Sequence, residues 1–194
     1  MDMFSFLAEN FDLPILDWIA ANLWCPFLDA VMPLITLLGD AGIFWIAIAV
    51  VLLFFPKTRK VGLGMGAALV IGLLVCNVTL KPLIARIRPY DYQLEHFGVT
   101  IKLLIEAQHD FSFPSGHTIA SFEAATVLLI HSKKAGIPAM ILACLIAFSR
   151  LYLYVHYPTD VFASVILGIC FGILGNWLVQ KAFSLYENRC HKAA

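Results

Sequence analysis

Six apolar runs occupy most of the chain, at about 24–38, 41–55, 61–80, 117–132, 136–155 and 159–183. A helix needs roughly 20 apolar residues to cross the hydrocarbon core of a bilayer, so runs of this kind between short polar connections predict transmembrane helices. The composition agrees: 13% of the residues are charged and the mean hydropathy is +0.85, against roughly 25% charged in a soluble domain. The sequence therefore predicts an all-α membrane bundle of six transmembrane helices, one domain over residues 1–194, with little chain left for a separate soluble domain. The first two runs are short. Gly39, Asp40 and Gly42 separate them so closely that a tight helical hairpin is expected there.

Ahead of these runs, residues 3–22 mix Phe4, Phe6, Leu7, Phe11, Trp18 and Ile19 with Glu9, Asp12 and Asp17. That pattern suits a helix lying along the membrane interface, or alternatively a short first span. The amino terminus, MDMFSFLAENFDLP, lacks the basic opening of a secretory signal peptide. Cys25, Cys76, Cys144, Cys170 and Cys190 are scattered, without metal-ligand spacing, and read as packing residues. Orientation follows from basic residues in the connections: Lys57, Arg59 and Lys60, then Lys133 and Lys134, then Lys181, Arg189 and Lys192. Six spans put all three groups on one side, which the positive-inside rule makes cytoplasmic. Both termini are then cytoplasmic, and the stretch 81–113 and the turn at 156–160 face outward. The formal net charge of +0 and the absence of a basic tail give no sign of a nucleic-acid partner.

The outward side carries Lys81, Arg86, Arg88, Lys102 and Arg150, several of them at the ends of apolar spans. A Lys or Arg at the centre of a span costs about 2.5–3.5 kcal/mol, less near the interface, so a cluster at one depth points to an anionic ligand. Any one of them alone reads as a side chain snorkelling to lipid headgroups. Three segments hold them together with other reactive types: K-P-L-I-A-R-I-R-P at 81–89, P-S-G-H at 114–117, and S-R-L-Y-L-Y-V-H-Y-P-T-D at 149–160. These segments resemble the three signature motifs of the type 2 phosphatidic acid phosphatase family. Its members are integral-membrane lipid phosphatases, similar in their core to vanadium-dependent haloperoxidases and bacterial acid phosphatases. The family pattern is K-x6-R-P, P-S-G-H and S-R-x5-H-x3-D, and every fixed position is matched.

The residues carry chemistry on their own account. Ser115 stands where the fourth run starts and is placed to cap a helix, while Gly116 lets backbone N–H groups approach a phosphate closely. His117 falls in the first turn, within reach of a leaving oxygen. Pro158 suits a first helical position, which puts Asp160 in the first turn of the last span. His156 lies four residues before Asp160, close enough for the carboxylate to hold one ring nitrogen and leave the other free to attack phosphorus. Each has a plainer reading: an ordinary cap before an interfacial His, and an interfacial His near a helix-terminal acid.

The resemblance implies the remaining roles. Lys81, Arg88 and Arg150 bind phosphate together with Ser115 and the Gly116 amide, His117 is the general acid, and His156 is the nucleophile oriented by Asp160. It also implies metal-independent chemistry with no cofactor, since cations surround the phosphoryl oxygens. Arg86, His96, Glu106, His109 and Asp110 match no fixed position and read as solvated loop residues. Glu123, an acid inside the fourth span, is assigned no role. Residues 99–107 alternate apolar groups with Lys102 and Glu106, as a short interfacial helix or a loop packed on the bundle would.

The function expected is hydrolysis of a lipid phosphate or diphosphate at the outer membrane face through a phosphohistidine on His156, with membrane lipids as surroundings and lipid as partner. A short chain with an outward site looks like undecaprenyl-diphosphate phosphatases, but phosphatidylglycerophosphate and phosphatidate phosphatases share the motifs. A transporter or scramblase would bind the headgroup in the same pocket without needing the His156–Asp160 pair. A haloperoxidase would hold vanadate there, and six apolar spans argue against that.

Overall fold

The computed structural model describes residues 3–193, with side chains through Arg189, and it contains only helices among the described residues. Cys190 lies outside the described side chains. Helices α1 (Met3–Leu7) and α2 (Leu13–Leu23) run on through a π-helical turn at Ala8–Asp12. Pro26 opens α3 (Pro26–Leu37), which a 3-10 turn joins to α4 (Ile43–Leu53). Helix α5 (Arg59–Gly72) continues as a π-helical segment, Leu73–Leu80, into α6 (Lys81–Ile84). Then come α7 (Pro89–Phe97), α8 (Gly116–His131), α9 (Lys133–Tyr152) and α10 (Pro158–Ala193). Pro26, Pro89 and Pro158 stand where a missing backbone N–H costs nothing and φ is already helical.

Helix α8 is the axis of the bundle, with Ile119, Phe122, Ala124, Ala125, Val127 and Leu128 buried against its neighbours. Glycines on α10 make that packing close. A Cβ at Gly168 would lie 2.8 Å from Phe122 Cβ, and one at Gly172 would lie 2.8 Å from the Glu123 carbonyl oxygen. Small residues let helix backbones approach in a medium where hydrophobic burial between helices contributes little. Outward, Ile46, Val50, Ile137, Ile141, Ile173 and Trp177 are exposed. A second cluster packs Leu13, Leu16 and Ile19 against Tyr152, Tyr154 and Tyr157.

Among the described residues three helices, beginning at Arg59, Lys133 and Pro158, are long and apolar enough to cross a membrane, or four if the bent α3–α4 pair counts as one span. The first two runs do not make a hairpin. Their axes bend by 40° at Gly39–Gly42, where Ala41 and Gly42 take positive φ of 47° and 67°, so the chain kinks without reversing. Gly39 sits at the break because a Cβ there would fall 2.8 Å from both His117 Cδ2 and Ile146 Cγ2. Asp12 bonds Thr159 at the start of α10, whereas Lys60 pairs with Glu187 at 3.1 Å near its far end, roughly 45 Å away at 1.5 Å per residue. Residues 3–23 and the carboxyl end of α10 thus lie at opposite ends of the bundle, not on one side as six spans would place the termini.

The short helix in the connection between α6 and α8 is α7 and not a helix at 99–107, since residues 98–115 are irregular. Within that loop Ile101, Leu103, Leu104 and Ile105 pack onto the tyrosine cluster, so the packed-loop reading of 99–107 holds. Among the described cysteines Cys76 is buried, while Cys144 and Cys170 face outward and are not core residues.

Candidate active site

Three breaks in the helices put polar side chains at one depth. The π-helical segment ends at Leu80, just before Lys81, and such segments often mark functional sites; Ala85, with φ of 50°, stops α6, and residues 85–88 leave the helix before α7 begins. At the next break, α9 ends at Tyr152 and Tyr154 turns the chain with φ of 60°, so Arg150, His156 and Asp160 flank one tight corner. Gly116 and His117 open α8 beside them. Lys81, Arg88, Gly116, His117, Arg150 and His156 all line one cavity of about 360 Å³.

His156 is buried, and its Nε2 faces Arg88 Nη1 at 3.4 Å. Its Nδ1 lies 3.6 Å from Asp160 Oδ2, longer than a hydrogen bond. Ser112 closes the gap, its Oγ donating to Asp160 Oδ2 at 2.5 Å and standing 3.4 Å from His156 Nδ1. Burial first, then the charges of Arg88, Arg150 and Lys81, push the His156 ring well below its ordinary pKa. The ring is therefore neutral near pH 7, with a nitrogen lone pair available.

His117 Nε2 lies 3.2 Å from Asp40 Oδ1 and 3.4 Å from Arg150 Nη1. Arg150 is 1% exposed, donates from Nη1 to Thr36 Oγ1 at 2.6 Å, and has a buried Nε with no hydrogen-bond partner. An unfilled donor on a buried guanidinium invites an anion. Gly116 lines the cavity, but Ser115 does not. Its side chain makes no cap bond; Ser115 Oγ instead accepts from Thr118 Oγ1 at 3.0 Å, and its N–H donates to Ser164 Oγ at 2.8 Å.

Two residues expected to be solvated loop groups belong to this site. Arg86 is 6% exposed and joins two buried carboxylates, Nη1 to Asp160 Oδ1 at 2.5 Å and Nη2 to Asp12 Oδ2 at 2.7 Å. Its guanidinium lies 3.7 Å over the Tyr157 ring, and Asp12 Oδ1 accepts from the Thr159 N–H at 2.9 Å. Asp110 accepts from Arg88 Nη2 at 2.5 Å and pairs with Lys81. Burial raises its pKa, but the Lys81 hydrogen bond and charge, with those of Arg88, outweigh burial and hold the carboxyl well below the usual carboxylate range. His96 stacks on Tyr92 with ring centroids 3.9 Å apart. Asp12, Thr36, Asp40 and Ser112 carried no sequence signal, because each is an ordinary polar residue whose partner lies far along the chain. Glu123, 1% exposed, lines the inner end of the cavity, and its Oε1 has no hydrogen-bond partner.

Residues 57–184 match the sequence model of the PAP2 superfamily. The chain is 37% identical over 126 residues to an undecaprenyl-diphosphatase of Sulfolobus acidocaldarius, a match covering 64% of this chain and 58% of that protein. It is 33% identical over 151 residues to the undecaprenyl-diphosphatase BcrC of Bacillus subtilis, covering 76% and 72% of the two chains. Among solved structures it resembles a transmembrane PAP2 type phosphatidylglycerolphosphate phosphatase from Bacillus subtilis, with a TM-score of 0.70, 28% identity, and coverage of 93% and 88%.

Proposed function

The chain belongs to the PAP2 superfamily, and from that premise we propose that it hydrolyses a lipid phosphate or diphosphate through a phosphohistidine on His156. The observation that carries this reading is convergence: two histidines and three cations from separate segments line one cavity. His156 Nε2 attacks the terminal phosphorus, and the bond to the leaving lipid oxygen or lipid phosphate breaks as His117 gives that oxygen a proton. Lys81, Arg88, Arg150 and the Gly116 amide offset charge on the phosphoryl oxygens, which is most of what phosphoryl transfer asks of a protein. Water then loses a proton to His117 and displaces His156 from phosphorus, releasing phosphate. Asp160 and Ser112 keep Nδ1 protonated so that Nε2 stays the nucleophile. Ser115 supports the cradle from behind.

Undecaprenyl diphosphate is the substrate best supported, because relatives at 37% and 33% identity carry that activity in their names. Phosphatidylglycerophosphate is the second reading, favoured by the likeness to the solved phosphatase. The deciding experiment is phosphate release by purified protein in detergent from undecaprenyl diphosphate, phosphatidylglycerophosphate and phosphatidate, with and without chelator. Release from at least one lipid, insensitive to chelator and inhibited by vanadate, is expected. Inactivity on every lipid would favour a transporter, and rescue of a chelated sample by magnesium would refute the metal-free mechanism.

The catalytic end is proposed to face outward. Lys57, Arg59, Lys60, Lys133, Lys134 and Lys181 lie toward the other end, which the positive-inside rule makes cytoplasmic. With α3–α4 as one bent crossing, residues 3–23 lie on the outer side and the carboxyl terminus inside. In a background without native cysteines, Glu95→Cys, at an exposed position of α7, should react with an impermeant maleimide in intact cells and Ser132→Cys should not. The reverse labelling pattern overturns the orientation.

A further inference from the structure

Asp110 holds the two cations through the N–H groups that phosphoryl oxygens would use. Its Oδ1 accepts from Arg88 Nη2 at 2.5 Å and its Oδ2 pairs with Lys81 Nζ. Its backbone carbonyl accepts separately from Arg88 Nε at 2.9 Å, so the loop stays attached even if the side chain turns away. Asp160 is different. That carboxylate is fully buried and fixed by Arg86, Ser112 and the Tyr157 N–H, whereas the Asp110 side chain is 55% exposed. Rotating it off the cations moves its charge into water, where a free carboxylate is cheap; the same motion of Asp160 would strand a charge in the core.

Asp110 also stands between two cavities. An outer cavity of about 300 Å³, lined by Tyr90, Asp91, Glu95 and His109, shares only Arg88, Gln108 and Asp110 with the catalytic one. A phosphate freed on the catalytic side meets strong retention, since three cations and a backbone amide surround it. The outer cavity, lined by the carboxylates of Asp91, Glu95 and Asp110 and by a single guanidinium, that of Arg88, holds no such anion trap.

We propose that Asp110 is a tethered carboxylate that exchanges with phosphate on Lys81 and Arg88, turning aside when substrate binds and returning to expel inorganic phosphate through the outer cavity. This rests on the hydrolytic reading above. A tethered group competes at a millimolar-scale effective concentration with no free anion required, and product release is a common rate limit in efficient enzymes. The exchange replaces one carboxylate by one phosphate and makes or breaks no covalent bond.

The test uses the full chain in detergent. Asp110→Asn keeps the shape and removes the charge. Binding of inorganic phosphate and of vanadate, measured by calorimetry, should tighten by about tenfold or more, the scale of one charge-assisted hydrogen bond. On lipid, kcat and KM should fall together, and rapid quench should show a burst of dephosphorylated lipid before a slower steady state. Asp110→Glu should recover weak phosphate binding. If Asp110→Asn does not fold, Asp110→Ser takes the same measurements. Unchanged or weaker phosphate binding in the charge-removing variant overturns the proposal, because it is what a residue that merely orders Lys81 and Arg88 would give. Calorimetry needs no turnover, so failure of the chain to hydrolyse any lipid would sink the hydrolytic reading and leave the exchange measurement standing.

Discussion

His156→Ala should abolish turnover and the acid-labile phosphoenzyme together, while lipid still binds. The alanine removes the ring nitrogen that stands 3.4 Å from Arg88 Nη1, yet Arg88 and Arg150 keep their positions through the Val155 carbonyl and Thr36. His117→Ala behaves differently. It removes the proton donor, a loss of about 10²- to 10⁴-fold for general acid catalysis, and the defect should shrink on p-nitrophenyl phosphate, whose leaving group needs no proton. Both variants are compared on lipid and on the activated ester, with phosphohistidine measured after rapid quench. Phosphohistidine in His156→Ala, or equal impairment of His117→Ala on both substrates, would show that the roles are misassigned.

Arg86→Met should be the most destabilising single change at the site. It leaves Asp12 and Asp160 buried at 0% exposure without the cation that bridges them. Removing one partner of a buried ion pair costs about 3–5 kcal/mol, because the remaining charge is uncompensated. Asp12→Asn should cost less. The amide oxygen still accepts from the Thr159 N–H, and Arg86 keeps Asp160. Thermal unfolding in detergent measures both, and the double variant closes a mutant cycle. A cost for Arg86→Met below about 1 kcal/mol, the scale of an exposed pair, would mean that the bridge is solvated in the membrane-bound protein.

The cations and histidines that line the cavity were legible because the motifs confine rare polar types to short spacings in apolar surroundings, where their insertion cost makes them conspicuous. The groups that hold them were not. Asp12 is bonded to Thr159, Thr36 to Arg150, and Ser112 to Asp160, and a single aspartate or serine carries no trace of a partner so far along the chain. Arg86 was passed over because it lies between two motif positions without being one. In the fold, run length found the helices but not the relation between the first two. Gly39, Asp40 and Gly42 suit a reversal as well as a kink, and what selects the 40° bend is packing, with Gly39 pressed against His117 and Ile146. Helix α7 escaped notice because it is held by its ends, Pro89 and the left-handed Gly98, and not by an apolar stripe.

The bent entry to the bundle also bears on what counts as a self-sufficient unit in this protein. The recognisable segment begins at residue 57, yet Asp12, Thr36 and Asp40, all upstream of it, grip Arg86, Arg150 and His117. The early helices are thus part of the enzyme's chassis and not an exchangeable anchor. A chimera that grafted residues 57–184 onto another protein's leading span would inherit every signature residue and leave three of its buried polar side chains without the hands that hold them.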